Sequence, residues 1–492
     1  MNLVGSLTPA SLTVDSTNNC MFSGTGKISG TGVFTKTNFG TLTVTTTNDY
    51  TGPTIIGGNG ILAVSRLANG GAASGLGAAN SDPTNLVFYG GTLRYTGSSV
   101  ATDKRATLNS NATIDVVSGT LTANGPLLGS GALIKAGAGT MVIPTNNAHT
   151  GGVIISNGTV NLTTTFARDN GLGSGTTTLS GGTLQLYGYG GSSSTDWGTF
   201  SRPINVIAGT TSGLLTPPRC VLSFPLTGSG TVNLTVDYVR DVLSGNWSAF
   251  AGTLNVIARA IPSEFRVANT AGYGNATVFI TDNVVITRTG SATTIFFGAL
   301  GGTTGSSIGP GNSSSSGSSY NIGGNNTDAT FAGTIKSDGT NPFFKTGTGR
   351  WTLTGANTWS GGLTINGGLV LANNASDSAT GTGAVAVNST GALGGTGSMS
   401  GAVTVNSGGA ISPGSNGVGT VTMTGGLTLN SGAILNFDLG TTAASDKIAV
   451  TGALALNGVL NLTNVAGFGA GTYTLITYTG AWIDDWFQTD RF

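Results

Sequence analysis

Of 492 residues, 84 are Gly, and 19 basic side chains balance 19 acidic ones to a formal net charge of zero. Charges this sparse and scattered leave no electrostatic footprint for nucleic acid, and no apolar run approaches the ~18 residues that a membrane helix needs. Helix is excluded as the main element, because Gly and β-branched residues oppose it and no window keeps apolar residues at helical spacing over three turns.

The chain starts Met1-Asn-Leu-Val-Gly-Ser-Leu-Thr-Pro9, with neither a basic n-region nor an apolar h-region. No signal peptide is expected in this chain, which reads as a mature chain or one exported by another route. From there onward, period-two patterning predicts short strands. They fall at Thr41-Leu-Thr-Val44, around Leu121, and at Val142-Ile143, Thr183-Leu-Gln-Leu186 and Thr231-Val-Asn-Leu-Thr-Val236. Later ones are Leu427-Thr-Leu429, Leu454-Ala-Leu456 and Val459-Leu-Asn-Leu462.

One phrase of residues returns along the chain. Its fullest form is Gly349-Arg-Trp-Thr-Leu-Thr-Gly-Ala-Asn-Thr-Trp-Ser-Gly-Gly-Leu-Thr-Ile-Asn-Gly-Gly-Leu-Val-Leu371, in which alternating strands are split by an Asn-x-aromatic-x-Gly corner. The same phrase occupies residues 40–56 around Asn48-Asp-Tyr50 and 139–155 around Asn147-Ala-His149, with degenerate copies at 248–256 and 328–335. A Lys precedes each full copy, at Lys36, Lys135 and Lys345. A second unit, Gly171-Leu-Gly173, is echoed by Gly75-Leu-Gly77. Such self-similarity predicts an all-β stacked solenoid, here with about 20 rungs of roughly 20–25 residues.

The expected organisation is a single solenoid over 1–480. Gly/Ser-rich excursions near 188–203 and 301–326 leave the coil and are the places for grafted function. The charged stretch 238–268, with Arg240, Asp241, Arg259, Glu264 and Arg266, reads as a solvated flank in preference to a rung with a decorated face. Residues 481–492 break the composition and read as a cap over the last rung or a non-native tail. Cys20 and Cys220 lie too many rungs apart for a disulfide and read as small buried hydrophobes.

With these residues in view, 345–371 closely resembles the autotransporter-associated β-strand repeat of bacterial surface proteins. Asp446-Lys-Ile-Ala-Val-Thr-Gly452 and Ala470-Gly-Thr-Tyr-Thr-Leu-Ile-Thr-Tyr478 extend the likeness. The resemblance implies a right-handed parallel β-helix, exported as a passenger to the cell surface or beyond, commonly adhesive or structural. Relatives of this type continue into an outer-membrane barrel or a sorting anchor, and neither is recognised in this sequence.

Residues for chemistry are few. His149 is the sole histidine, so any Ser-His-Asp mechanism must use it; yet it fills the slot of Tyr50 and Trp359 and reads as a corner side chain. Gly305-Ser-Ser307-Ile-Gly309 spells a nucleophile elbow without the strand-to-helix context that the motif needs. Among the acids only Asp237/Asp241, Asp438/Asp446 and Asp484/Asp485 lie close in sequence, and one His with two distant Cys makes no metal cluster. No catalytic, cofactor-binding or metal residue is assigned, and no cofactor is expected. Trp197, Trp247, Trp351, Trp359, Tyr187, Tyr189 and Phe200 are candidates either for stacking on sugars or for packing between rungs.

The leading expectation is therefore a non-enzymatic surface or matrix protein that binds glycans, other surface ligands or copies of itself. A β-helix carbohydrate-active enzyme and a self-assembling filament subunit are the alternatives.

Overall fold

The computed structural model describes residues 1–163, 170–186, 198–216, 220–236, 241–259, 262–268, 273–288, 294–309, 319–336 and 341–483. The chain forms two compact units, Met1–Thr235 and Val236–Phe492. Among the described residues there is no α-helix, only short strands and the 3-10 turns Pro83–Asn85 and Asn170–Leu172.

In the first unit a full turn of chain lays down three strands on three faces, and some turns, such as Val153–Ile155 with Thr159–Leu162, carry only two. One full turn is Leu86–Tyr89, Thr92–Tyr95 and Val100–Thr102, and the next is Ala106–Leu108, Ala112–Val116 and Thr120–Ala123. Each strand pairs in parallel with its equivalent in the neighbouring turn, so the first unit is a parallel β-solenoid. Because the strand period is two and the register never slips, like side chains pile up inside the coil. Leu42, Leu62, Leu93 and Ile114 form one inward column. Leu121, Met141, Val160, Leu184, Leu214 and Leu234 form another. All ten are buried, and each contributes about 1.5–3 kcal/mol by leaving water.

The second unit is a parallel β-solenoid too. Leu363, Val385, Val403, Leu427 and Leu454 make one of its columns. Nearer its start the core is aromatic: Trp247, Tyr273, Phe297, Tyr320 and Phe343 follow one another at ring-centroid separations of 6.2, 5.5, 6.4 and 4.7 Å. Phe343 then meets both Trp351 and Trp359. Offset aromatic contacts of this kind add about 0.5–1.5 kcal/mol each beyond their area. Thus Trp247, Trp351, Trp359 and Phe200 are buried between rungs. Tyr187, Tyr189 and Trp197 lie outside the described residues.

The three corner lysines are the polar counterpart of these columns. Lys36 stands in register with Ile56, Lys135 with Ile114 and Ile155, and Lys345 with Ile365. All three are buried, with the stem in the apolar column and the ammonium turned into the corner. Lys135 donates to the carbonyls of Ala136 (2.6 Å), Gly137 (2.8 Å) and, one turn on, Asn157 (3.2 Å). Lys345 repeats the set with Thr346, Gly347 and Gly367 at 2.7, 3.3 and 3.3 Å. Lys36 donates to Thr37, to Asn38 at 2.7 Å, and back one turn to Ser16 at 3.5 Å. At a corner the ladder is interrupted, so these carbonyls need another donor, and the ammonium supplies three.

The corner asparagines do the same work for main-chain N–H groups. The Oδ1 atoms of Asn48, Asn147 and Asn357 accept from Ile28, Leu127 and Ile335 at 2.9, 2.8 and 2.6 Å. Nδ2 of Asn147 and Asn357 donates forward to Gly171 and Ala379, both at 2.6 Å. One amide therefore ties three turns together.

Three expectations from the sequence change. Within the 238–268 stretch, Arg259 is exposed as a solvated flank requires, but Glu264 and Arg266 are buried and paired at 3.0 Å, and Thr287 Oγ1 donates to the same carboxylate at 2.5 Å. Desolvating these charges is costly, and the pairing offsets that cost. Cys220 is buried but Cys20 only half-buried, and both are free thiols. Within 301–326 the described part carries strands Ala299–Gly302, Ser307–Ile308 and Ser319–Ile322. Residues 187–197 and 310–318, most of the two expected excursions, lie outside the described residues, as do 484–492. Trp482–Ile483 pairs as a parallel strand with Leu454–Ala455.

Burial pushes the Lys135 and Lys345 ammonium groups down to about 8 from an ordinary 10.5. A lysine with a lowered folded pKa weighs against the fold while charged in it. The unfolded chain holds the proton up to about pH 10.5, so stability rises as pH climbs from about 8 toward that value. Urea midpoints should show the parent gaining about 2 kcal/mol per lysine between pH 7.5 and 9.5, relative to a Lys135→Met, Lys345→Met variant. An opposite slope would mean that the carbonyl ring holds the proton more strongly than burial expels it.

Candidate functional site

His149 is fully buried at a corner. It has the same surroundings as Tyr50 and Trp359: the following Ser174 N–H bonds to the His149 carbonyl at 3.0 Å, as Ala78 does to Tyr50 and Thr382 to Trp359, both at 2.8 Å. In each case a glycine of positive φ from the next turn lies flat on the ring. These are Gly77, Gly173 and Gly381, with φ of 71°, 71° and 70°. A Cβ there would come within 2.9, 2.8 and 2.9 Å of the respective rings, which explains the last glycine of Gly75-Leu-Gly77 and Gly171-Leu-Gly173. Tyr50 bonds Thr54 Oγ1 at 2.7 Å and Trp359 Nε1 bonds the Gly362 carbonyl at 3.2 Å. Neither nitrogen of His149 finds a hydrogen-bond partner. Burial pushes its pKa below the ordinary 6.5, the nearby Gly152 main chain opposing only in part. A dry, enclosed ring of this kind packs a corner and meets no substrate.

The remaining sequence candidates are also tied into the coil. Ser306 is buried and donates to the Thr303 carbonyl at 2.7 Å, while Ser307 lies within the strand Ser307–Ile308. Asp446 is buried with its two oxygens on the Gly419 and Asp438 N–H groups, each at 2.8 Å. Burial raises its pKa. The side chains of Asp237 and Asp241 and all of Asp484 and Asp485 lie outside the description. Among the described residues no group of three or more His, Cys, Asp and Glu could hold a metal, and no helix is long and apolar enough to cross a membrane.

What the coil offers to solvent is its outward parity. In the second unit this surface closes on itself: Asn388 Nδ2 bonds Asn366 at 2.8 Å, Asn406 bonds Asn388 at 2.7 Å and Asn430 bonds Asn406 at 2.8 Å. At the far end, Val459, Leu460 and Leu462 of the strand Gly458–Asn464 are about half exposed. They flank an apolar cavity of about 340 Å³ bordered by Leu435, Phe437 and Leu475.

In the first unit the outward surface is instead open and polar. A groove of about 590 Å³ runs along the corner between two faces, across four successive turns. Its floor is an outward column, Thr92, Thr113 and Ile134, held in register by the ladder. Its wall is the corner itself, with Asn59, Asn109, Ser110, Asn111 and Ser130. The notch arises because one corner is shorter: three residues turn at 58–60, 109–111 and 130–132, but only the glycines at 90 and 91 turn between Leu86–Tyr89 and Thr92–Tyr95. No sequence motif marked this groove. Corner lengths compared turn by turn would have done so once the register was known.

Residues 34–64, 133–162 and 343–372 match the passenger-associated-transport-repeat family. Each matched segment contains one Lys, Asn and aromatic or His corner: Lys36, Asn48 and Tyr50; Lys135, Asn147 and His149; Lys345, Asn357 and Trp359. Over 184 residues, 36% of this chain, the sequence is 38% identical to "Adhesin BmaC autotransporter" of Brucella suis biovar 1 (strain 1330). The matched length is 5% of that protein, so the chain corresponds to a small part of it.

A structural His149 makes a pH prediction. Its folded pKa is lowered, so the unfolded chain binds more protons below about pH 6.5 and stability falls as the pH drops through that range. His149→Tyr, which installs the side chain of the equivalent corner, should abolish that acid sensitivity in thermal melts between pH 7 and 5. A variant with the parent's acid slope would show that the ring is not the titrating group.

Proposed function

We propose that this chain, three segments of which match the passenger-associated-transport-repeat family, is an adhesive passenger of the bacterial cell surface or its surroundings. The similarity to an autotransporter adhesin supports this reading, and so does the way the repeat is used. The recurring Lys, Asn and ring positions of the three copies all point into the coil and hold it together, which leaves the outward positions available for binding. The observation that carries the proposal is the first unit's open polar groove, on a coil whose sole histidine is sealed inside. Binding at such a surface works by area and by repetition, weak contacts adding as avidity when sites are linked. The ligand class at this level is a surface glycan or another surface component.

The test is co-sedimentation of the purified chain with a panel of insoluble polysaccharides and fixed cells, with soluble sugars assayed in the supernatant. Saturable binding without released sugar is expected, and a tethered two-copy form should bind with about 10²–10⁴-fold higher apparent affinity. Release of soluble sugars would replace this reading with a carbohydrate-cleaving one. Failure to bind any surface in either form would remove adhesion altogether.

A further inference from the structure

We propose that the corner groove of the first unit is a binding site for a neutral glycan chain, seated along the stack with Phe39 and Tyr89 as its stacking platforms. The inference rests on the adhesive reading above and assigns it a place and a ligand class.

Four observations meet there. The first is the exposure of aromatic rings. Among the described residues of the first unit, the strongly exposed aromatics are Phe39, at 68%, and Tyr89, at 55%. Every other large side chain named in that unit's core is folded inward, so two exposed rings at one corner call for an explanation. Phe39 lies in the corner after Val33–Thr37, one turn before Asn59, and so flanks the groove just beyond its four lining turns. Tyr89 immediately precedes Gly90, which lines the groove. They are two turns apart, on the order of 10 Å at a rung spacing of ~4.8 Å, a separation that suits rings stacking on alternate sugars of an extended chain.

The second is hydrogen-bonding capacity left unspent. The side-chain polar groups of Asn59, Thr92, Asn109, Ser110, Thr113 and Ser130 make no hydrogen bond to described protein atoms, whereas the outward asparagines of the second unit bond one another from turn to turn. Hydroxyls and amides with free donors and acceptors in one trough match the hydroxyl pattern of a sugar.

The third is charge. No ionisable side chain lines the groove; on the strands of its floor Arg94 and Asp115 pair at 2.7 Å, and beside Phe39 the charge is the Asp15 carboxylate, which accepts from Asn38 Nδ2 at 3.1 Å. An acidic polysaccharide would find no cation to pair with, and a neutral one loses nothing.

The fourth is size and shape. The volume, about 590 Å³, falls in the range of small-ligand sites. Four turns span on the order of 14 Å along the stack, room for about three sugar rings.

The test is calorimetric titration of the full chain with neutral glucose, galactose and mannose hexasaccharides, alongside a uronate-containing hexasaccharide. At least one neutral probe should bind, and the uronate probe should bind at least tenfold more weakly. Phe39→Ala and Tyr89→Ala should each lower that affinity about tenfold with the melting temperature unchanged. Phe39→Trp should retain binding, a rescue that a merely structural role would not show. The inference is overturned if no neutral hexasaccharide binds, if both alanine variants bind like the parent, or if the uronate probe binds as well as the neutral ones. Should these fail while the chain still co-sediments with surfaces, the groove is wrong and the adhesive reading stands. Hexasaccharide binding without any surface adhesion would do the reverse.

Discussion

A coil of parallel strands must turn repeated corners, and although some backbone bonds continue through them, such as Asn109 N–H to the Phe88 carbonyl, part of the rung-to-rung ladder lapses there. Backbone groups there are buried yet unpaired by their own kind, and leaving them so would cost about 1–3 kcal/mol apiece. Everything distinctive about the repeat answers that one constraint. Lysine ammonium groups gather carbonyls, asparagine amides join N–H and C=O groups from adjacent turns, and an aromatic ring fills the remaining space under a glycine of the next turn. The lysine is the least expected of these, because it sits in an apolar column and carries a charge into a dry interior. Its stem serves as core and its head as a three-way donor.

The same constraint explains why polar residues inside this protein do not mark function. Buried Lys36, Lys135, Lys345, Asn48, Asn147, Asn357 and Asp446 would pass for an active-site inventory if read singly. Placed in register, the lysines and asparagines are the repeat's fastenings, the asparagines reaching groups one turn of 20–22 residues away, while Asp446 ties the Gly419 and Asp438 N–H groups. Burial is the leading cause of the shifted acidities of Lys36, Lys135, Lys345 and Asp446. On the proposed adhesive reading, binding falls to the opposite parity of each strand, which the fastenings leave unconstrained, and to corners whose length departs from the rest.

Much of this was legible beforehand. Alternation of apolar residues, turn glycines and the recurring Asn-x-aromatic-x-Gly phrase announced stacked parallel strands, and the equivalence of His149 with Tyr50 and Trp359 announced a packing role for the only histidine. The charged stretch around Glu264 was misjudged because charge in a sequence reads as solvent exposure, while here two opposite charges two residues apart on a strand neutralise each other under cover. Phe39 and Tyr89 were missed for a related reason: an aromatic in an alternating run reads as core, and only a shift in parity or a corner location turns it outward.

Sequence by itself therefore determined the period, the strand class and the internal side of each rung, since these depend on local alternation and on repeats that any reader can align. Tertiary structure decided which turns lie against which, and so which corners are long or short, which outward columns run together and which polar groups remain without partners. Those properties belong to neighbours about twenty residues apart in the chain, and no local pattern encodes a notch made by one corner being a residue shorter than those beside it.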